Sequence, residues 1–217
     1  SINRKVLNFD APVSRLVNYI PDKPDPRDWA YIPKPITVPS QKMLNAYDSP
    51  VQDQGSIGSC TAQATTSDME WLDIKASSSY SELSDLFLYY NARVIEGDPH
   101  ADTGSSLRAS IKAANRQGVC AIRYWRYRMA NVLRTPSAEA YSKAHKFGVL
   151  EYRRLSRTLF QMRNCIANNL PFVFAVPLYE SFISEQVIET GVVPYPDLGE
   201  ELLGYHAMMV SGYNTTQ

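Results

Sequence analysis

The protein has 217 residues, of which 44% are hydrophobic and 11% aromatic, a composition that supports a sizeable folded core. Its 22 Lys and Arg residues balance 22 Asp and Glu residues, so the formal net charge is zero at pH 7 with the three His neutral. Composition and charge therefore exclude a disordered chain, and they provide no electrostatic basis for a nucleic-acid or anionic-membrane partner.

Targeting and membrane signals are absent from the given sequence. The longest strongly apolar run, residues 171–179, contains two prolines and is far shorter than the roughly 20 residues that span a bilayer. The first residues contain no apolar block of the kind that a secretory signal requires, so we interpret any export signal as already removed.

Residues 20–39 are rich in proline, which removes backbone donors and disfavours helical conformation in the preceding residue. We therefore expect residues 20–45 to form an extended segment. Residues 1–19 are too few to fold alone, and one interpretation is an arm that lies on the surface of the rest.

The first predicted helix begins at or immediately after Cys60, because the periodicity from Thr61 onward is helical. The pattern places Ala62, Met69 and Leu72 on its inner face. Cys60 is thus predicted to lie at a helix N-terminus.

Further helices follow in chain order within a helical lobe at residues 46–146. Ser84 is a predicted N-cap and Gly97 a predicted stop for the second helix. The third runs over residues 106–117 with Gly118 as its stop, and a shorter helix follows at residues 137–146.

Residues 147–217 are expected to form a second, β-rich lobe. It opens with a helix at residues 156–169, whose inner face carries Leu159, Met162 and Ile166. Three β-rich runs follow, at residues 172–178, 191–195 and 205–213. The predicted fold class is α+β, a helical lobe followed by an antiparallel sheet or barrel.

The chain has three cysteines, an odd number, so at least one thiol stays free. Cys120 and Cys165 are either two buried thiols or one disulfide. The chain has no Cys-x-x-Cys pair and no histidine cluster at zinc spacing, so we predict neither a metal site nor a cofactor.

Cys60 is the candidate nucleophile, because a helix N-terminus and a nearby imidazolium both lower a thiol pKa. Glycines in the preceding loop, residues 52–59, allow a tight turn and the close approach of a substrate. Of the three histidines, His100 and His145 lie in polar surroundings and are expected to be solvated. His206 opens an apolar strand, which favours either a catalytic partner for Cys60 or a hydrogen-bonded core histidine.

The segment QGSIGSC at 54–60 resembles the nucleophile segment of papain-like cysteine peptidases, and the strand around His206 resembles their catalytic-histidine strand. The spacing between the two falls inside the roughly 130 to 150 residues expected for that family. Further matches lie between them, at residues 83–85, 102–105, 117–119 and 171–173. The segments LFLYYNARVIEG, DTGSSLRASIKA and VPLYESF resemble bacterial members most.

This resemblance implies a papain-like two-lobe fold with the active-site cleft between the lobes. It implies that Cys60 is the nucleophile, that His206 is its ion-pair partner and general acid, and that Gln54 donates its amide to the oxyanion. The implied partner is a peptide or protein substrate, and the family expectation is an exported enzyme.

The resemblance also implies substrate-binding residues. Thr103 and Gly104 would bind a peptide through main-chain hydrogen bonds. Ala175 and Gly204 would line the pocket for the second residue before the scissile bond, with Tyr205 at its rim. Because small residues leave this pocket roomy, we expect a preference for a bulky apolar or aromatic side chain there.

The sequence departs from the family pattern at three places. Ile57 stands where many members have a cysteine bridged to the binding loop, and that loop also has no cysteine. Thr61 replaces the tryptophan of plant and lysosomal members. The family's histidine-orienting asparagine lies in an Asn-Ser-Trp-Gly motif that is not reached before Gln217, and Asn214 lacks this context. We interpret the given chain as truncated; the alternative is that the orienting group is missing.

For residues 1–19 the resemblance adds a second interpretation, a pro-segment that covers the cleft, with residues 6–9 threading the groove. Two alternatives to a peptidase also remain open. One is a catalytically silent binding module with the same fold, and the other is an acyltransferase that uses the same Cys and His chemistry with an amine acceptor.

Overall fold

A computed structural model describes residues 18–216. Six helices and four strands position the site. The helices are α1 (Cys60–Ser77), α2 (Asp85–Glu96), α3 (Leu107–Gln117), α4 (Ala138–Ala144), α5 (Leu159–Ala167) and α6 (Glu185–Thr190). The strands are β1 (Gln41–Met43), β2 (Phe172–Tyr179), β3 (Leu202–Val210) and β4 (Gly212–Asn214). The α+β class predicted from the sequence is confirmed.

The helical lobe is organised by caps that the sequence predicts. The Ser84 hydroxyl accepts a hydrogen bond from the Phe87 N–H at the start of α2, and Gly97 ends this helix in the left-handed conformation. The Ser106 hydroxyl caps α3 in the same way. The helices bury a common apolar core that includes Phe87 and Leu88 of α2.

The β lobe contains two antiparallel two-stranded sheets, β2 with β3 and β1 with β4. Helix α1 packs against β3. A second core lies where α1 and α5 meet the strands, and it is built around Trp71, Leu44 and Ile166. The Trp71 indole N–H donates to the Leu44 carbonyl at 2.9 Å, which ties the chain that follows β1 to α1.

Several details differ from the sequence prediction. Residues 191–195 are not a strand, because Gly191 ends the unpredicted helix α6 and the following residues have no strand partner. Neither two-stranded sheet closes into a barrel within residues 18–216. The predicted strand at 205–213 begins earlier, at Leu202, and is divided at Ser211 into β3 and β4.

The predicted inner faces of α1 and α5 are each wrong at one position. Leu72 of α1 is 44% exposed, while Trp71, one residue earlier, is fully buried. Leu159 at the start of α5 is 67% exposed. Periodicity alone misassigns Leu72 because α1 contacts both lobes, so its buried surface is not a single regular stripe.

The proline-rich chain, residues 20–39, contains no helix, has a turn at residues 26–27 and is anchored at several points. Arg108 on α3 forms an ion pair with Asp28, and its backbone N–H donates to the Asp22 carboxylate at 3.1 Å. Further along, Tyr31 and Arg154 are linked by a backbone hydrogen bond of 2.9 Å. This anchored stretch, residues 20–34, is called the strap below. No helix within the described part of the chain is long and apolar enough to cross a membrane.

The buried carboxyl of Asp85 makes stability depend on pH. Asp85 is 3% exposed, accepts a hydrogen bond from the Thr66 hydroxyl, and burial raises its pKa to about 7. Between the ordinary aspartate pKa and pH 7 the folded state binds more protons than the unfolded state, so the free energy of unfolding falls as pH rises. The slope from this one group reaches about 1.4 kcal/mol per pH unit.

We therefore expect Asp85→Asn to make the decline in stability between pH 5 and pH 7 less steep, measured by urea unfolding, while the buried Asp68 carboxyl, whose pKa is also raised to about 7, maintains part of the decline. Glu139→Gln is the matched control, since Glu139 is an exposed carboxylate at the start of α4. An unchanged slope in Asp85→Asn would show that Asp85 is already ionised at pH 5.

Candidate active site

Cys60 is the first residue of α1, as predicted, and it is 1% exposed. The preceding Ser59 does not cap the helix, because its hydroxyl bonds instead to the Tyr127 hydroxyl at 2.7 Å. The first N–H groups of α1 therefore remain free of a Ser59 cap. Burial raises the pKa of the Cys60 thiol, while backbone hydrogen bonds from Ala207, Thr61 and Cys60 itself act in the opposite direction.

Strand β3 brings His206 to this helix end. His206 is half-buried and lies opposite Val176 in the pairing of β2 with β3. Its neighbour Ala207 packs with Cys60 in a small buried cluster and supplies one of the backbone hydrogen bonds to the thiol. The structure thus brings together two residues that are far apart in sequence.

Gln54 lies in the turn before α1 and is buried. The Gln54 side-chain amide donates to the Ile57 carbonyl at 3.0 Å, and the Gln54 backbone carbonyl accepts from the Tyr127 hydroxyl at 2.9 Å. Because a carboxamide nitrogen carries two N–H groups, one donor of Gln54 remains after the bond to Ile57.

A short piece of the chain lies in the cleft over Cys60. The Tyr19 N–H donates to the Tyr205 carbonyl at 3.3 Å, and the Ile20 N–H donates to the Ser105 carbonyl at 3.1 Å. Residues 18–20, called the cleft segment below, thus form parallel bridges with Tyr205 of β3 and with Ser105, which precedes α3. The predicted threading of residues 6–9 lies outside the described residues.

Two glycines let the cleft segment come this close. A Cβ on Gly104 would lie 1.7 Å from the Asn18 carbonyl oxygen, and Gly104 has a φ of +80°. A Cβ on Gly58 would lie 2.7 Å from the Asn18 side-chain nitrogen. Asn18 therefore lies directly against the backbone of Gly58 and Gly104.

The Tyr19 side chain fills an apolar pocket beside Cys60. It packs against the cluster of Cys60, Ala64, Leu107 and Ala207, together with Val173 and Ala175. Its ring centroid lies 6.5 Å from that of Tyr205. Of the three residues predicted for this pocket, Tyr205 has its ring beside that of Tyr19, Ala175 packs against the same cluster as Tyr19, and Gly204 precedes Tyr205 on β3.

The predicted binding loop, which contains Thr103 and Gly104, lies beside the cleft segment. Thr103 is exposed, and the Gly104 N–H already donates to the Tyr89 hydroxyl at 2.9 Å. The carbonyl that pairs with the cleft segment belongs to Ser105. Sequence reasoning missed Ser105, and it missed Leu107, Val173 and Ala207 in the pocket, because no local pattern marks a backbone carbonyl or a small apolar residue as a binding group.

The other candidate residues form no second catalytic or metal site within residues 18–216. Cys120 and Cys165 are free, buried thiols, so the disulfide left open by the sequence is not formed. Burial raises their pKa values, to about 12 and about 11 respectively. Within residues 18–216 no group of His, Cys, Asp and Glu side chains is placed to hold a metal ion. Asn214 is exposed and accepts hydrogen bonds from Thr216.

Comparison with known proteins gives a consistent result. The model of the papain family cysteine protease matches residues 39–217. An uncharacterized peptidase C1-like protein of Acanthamoeba polyphaga mimivirus is 33% identical over 171 residues, which cover 75% of this chain and 55% of the relative. The chain therefore spans only about half the length of that relative.

Among solved structures, xylellain, a cysteine protease from Xylella fastidiosa, is 31% identical with a TM-score of 0.84, covering 94% of this chain and 81% of that one. Digestive procathepsin L 3 of Tenebrio molitor larval midgut has the same fold, with a TM-score of 0.67 at 16% identity, covering 93% of this chain and 63% of that one. The family match to most of the chain and the arrangement of Cys60, His206 and the cleft lead to one conclusion: the chain belongs to the papain family of cysteine proteases.

Proposed function

We propose that this protein is a cysteine endopeptidase that uses Cys60 as nucleophile and His206 as its acid and base. One observation carries the proposal: a stretch of peptide, the cleft segment, is held by main-chain hydrogen bonds, and its Tyr19 ring packs against the cluster that contains Cys60 at the N-terminus of α1. A cleft that holds a peptide backbone against a helix-terminal thiol is suited to attack on a peptide carbonyl.

In the proposed reaction, the Cys60 thiolate attacks the carbonyl carbon and the carbonyl electron pair moves to oxygen. The tetrahedral intermediate collapses as the carbon–nitrogen bond breaks, and the His206 imidazolium gives its proton to the leaving amine. A thioester on Cys60 remains. Water then attacks the thioester while His206 accepts its proton, and the thiolate leaves as the carboxylic acid product forms.

Two donors would stabilise the oxyanion: the backbone N–H of Cys60 and the second N–H of the Gln54 amide. The turn that holds Gln54 is fixed, because the Gln54 side-chain amide donates to the Ile57 carbonyl and the Gln54 backbone carbonyl accepts from the partly buried Tyr127 hydroxyl. Loss of one such donor typically costs about 3 kcal/mol of transition-state stabilisation. We assign this role to Gln54.

Substrate recognition in this proposal follows the contacts of the cleft segment. Main-chain groups of the loop at 103–105 and of Tyr205 hold the peptide backbone, and the pocket that Tyr19 occupies accepts the second residue before the scissile bond. The pocket is lined by small or apolar residues, which supports a preference for a bulky apolar or aromatic side chain there.

The same contacts lead us to propose that the N-terminal chain inhibits the enzyme. The cleft segment fills the space that a substrate needs, and the strap holds it there through the Arg108 contacts with Asp22 and Asp28. It also helps to bury Cys60, and burial raises the pKa of this thiol. The covered state is therefore unfavourable for a thiolate, and release of the segment lowers the thiol pKa.

The first test is alkylation of each cysteine by iodoacetamide from pH 4 to pH 10, read by peptide mass mapping. We expect Cys60 in the intact chain to react slowly below pH 8, and to react at pH 5 to 6 once the cleft segment is displaced. Cys120 and Cys165 should lag in both states, because burial raises their pKa values far above neutrality.

Different outcomes separate the alternatives. A Cys60 that behaves as an ordinary thiol even in the open state would support the binding-module alternative. Rapid Cys60 labelling with peptide cleavage would support the peptidase, and preferential transfer of the acyl group to an added amine would support an acyltransferase.

The second test is Tyr19→Ala in the full chain. Removing the ring empties the pocket and forfeits roughly 1.5–3 kcal/mol of apolar burial, so peptidase activity should rise about 10- to 100-fold. Trp29→Ala is the matched control, since Trp29 lies on the strap but its ring is largely exposed. Equal rates in both variants would argue against inhibition by the cleft segment.

The third test compares peptides that carry Tyr or Gly as the second residue before the scissile bond. In the Tyr19→Ala background we expect kcat/KM to favour the Tyr peptide by at least about tenfold, from burial of the ring. Ala175→Leu should remove most of this preference by narrowing the pocket. Hydrolysis of the Gly peptide by the same variant serves as the control, and an unchanged preference would place the pocket elsewhere.

A further inference from the structure

We propose that Asp102 and Tyr89 are positioning residues that hold the substrate-binding loop at a set distance from the nucleophile. The inference rests on the proposed function, and it assigns a role to two side chains that take no part in the proposed reaction. Together with their partners Gly58 and Gly104, these two residues are called the loop clamp below.

The loop clamp consists of three consecutive hydrogen bonds. The Gly58 N–H donates to the Asp102 carboxylate at 3.1 Å. The Tyr89 hydroxyl donates to the same carboxylate oxygen at 2.6 Å. The Gly104 N–H donates to the Tyr89 hydroxyl at 2.9 Å. Tyr89 thus gives one hydrogen bond and accepts another, which fixes the direction of its hydroxyl.

The two ends of the clamp lie in the loop before Cys60 and in the substrate-binding loop. Gly58 is two residues before Cys60, and Gly104 is next to Ser105, whose carbonyl pairs with the cleft segment. A displacement of Gly104 would therefore move the peptide backbone relative to the thiol. Position 57 is an isoleucine and residues 101–106 contain no cysteine, so no disulfide links the two loops at these positions.

Tyr89 is well suited to be the fixed part of the clamp. It is fully buried within α2, and the Arg93 guanidinium stacks 3.9 Å from its ring centroid. Arg93 in turn donates to the carbonyls of Ala101 and Val132, which anchors the residue before Asp102. Burial and the Asp102 carboxylate raise the pKa of the Tyr89 phenol, so this donor keeps its proton at every pH relevant to activity.

A second contact supports the same loop from α1. The Thr61 hydroxyl bonds to the Ser105 hydroxyl, and the Ser110 hydroxyl donates to Thr61 at 3.1 Å. Loss of the clamp should therefore loosen the loop without unfolding it. The expected effect is a graded loss of peptide binding with the chemistry of the thiol preserved.

The test uses the full chain in the Tyr19→Ala background, so that the cleft segment does not compete with substrate. Tyr89→Phe removes the hydroxyl and keeps the ring over which Arg93 stacks. Tyr141→Phe is the matched control, because the partly buried Tyr141 hydroxyl donates to Asn91 at 3.0 Å, away from the cleft. Asp102→Asn provides a second clamp variant in case Tyr89→Phe does not fold.

Three measurements are compared: kcat and KM for a peptide substrate, the rate of Cys60 alkylation by iodoacetamide, and amide exchange in residues 101–106. We expect Tyr89→Phe to lower kcat/KM about tenfold, which is about 1.4 kcal/mol, mainly through KM. Exchange in the loop should rise at least about tenfold, while the iodoacetamide rate stays within about twofold. Tyr141→Phe should change none of the three.

The proposal is overturned if loop exchange and KM in Tyr89→Phe equal those of the background, or if the iodoacetamide rate falls as much as kcat/KM. Failure of the proposed function has a different signature. In that case the background chain itself lacks peptidase activity and an activated Cys60, while the exchange measurement still reports on the clamp.

Discussion

The packing of β3 against the N-terminus of α1 is the constraint on which the site depends. It sets the backbone of Ala207 against the Cys60 thiol and so brings the neighbouring His206 to a helix end whose N–H groups Ser59 does not cap. Helices and strands hold their main chains rigidly, so neither partner relies on loop conformation for its position. The loops that handle substrate are then built around this rigid contact.

In the proposed function, the cleft holds its own N-terminal chain in the way that it would hold a peptide substrate. The backbone pairing with Tyr205 and Ser105 does not depend on side-chain identity, whereas the Tyr19 ring packs against the apolar cluster that contains Cys60. Because the strap anchors the cleft segment next to the cleft, the effective concentration of the segment there is high, and no single contact has to be strong. Covering the thiol has an electrostatic consequence as well, since a buried thiolate loses hydration and the neutral thiol is favoured.

In our proposal, hydrogen bonds align Cys60 with the substrate-binding loop. A carboxylate that receives both a backbone N–H and a buried phenol gives a directional link, and charge strengthens each bond. Such a link is sensitive to loss of a single hydroxyl. It also keeps the loop independent of the redox state of its surroundings, because none of its members is a cysteine.

The sequence alone determined the family, the fold class, the start of α1 at Cys60 and the caps of α2 and α3, because these are local patterns or ordered motifs at fixed spacing. It also predicted that Ala175, Gly204 and Tyr205 lie near one pocket, which stays a prediction. It misassigned residues 191–195, since β propensity is realised only where a partner strand exists. Only the tertiary structure decided that Ser105 meets the cleft segment, that Tyr19 fills the pocket and that Asp102 bonds to Tyr89. These contacts join residues distant in the chain through backbone groups and shared burial, for which a linear sequence has no periodic or local signal.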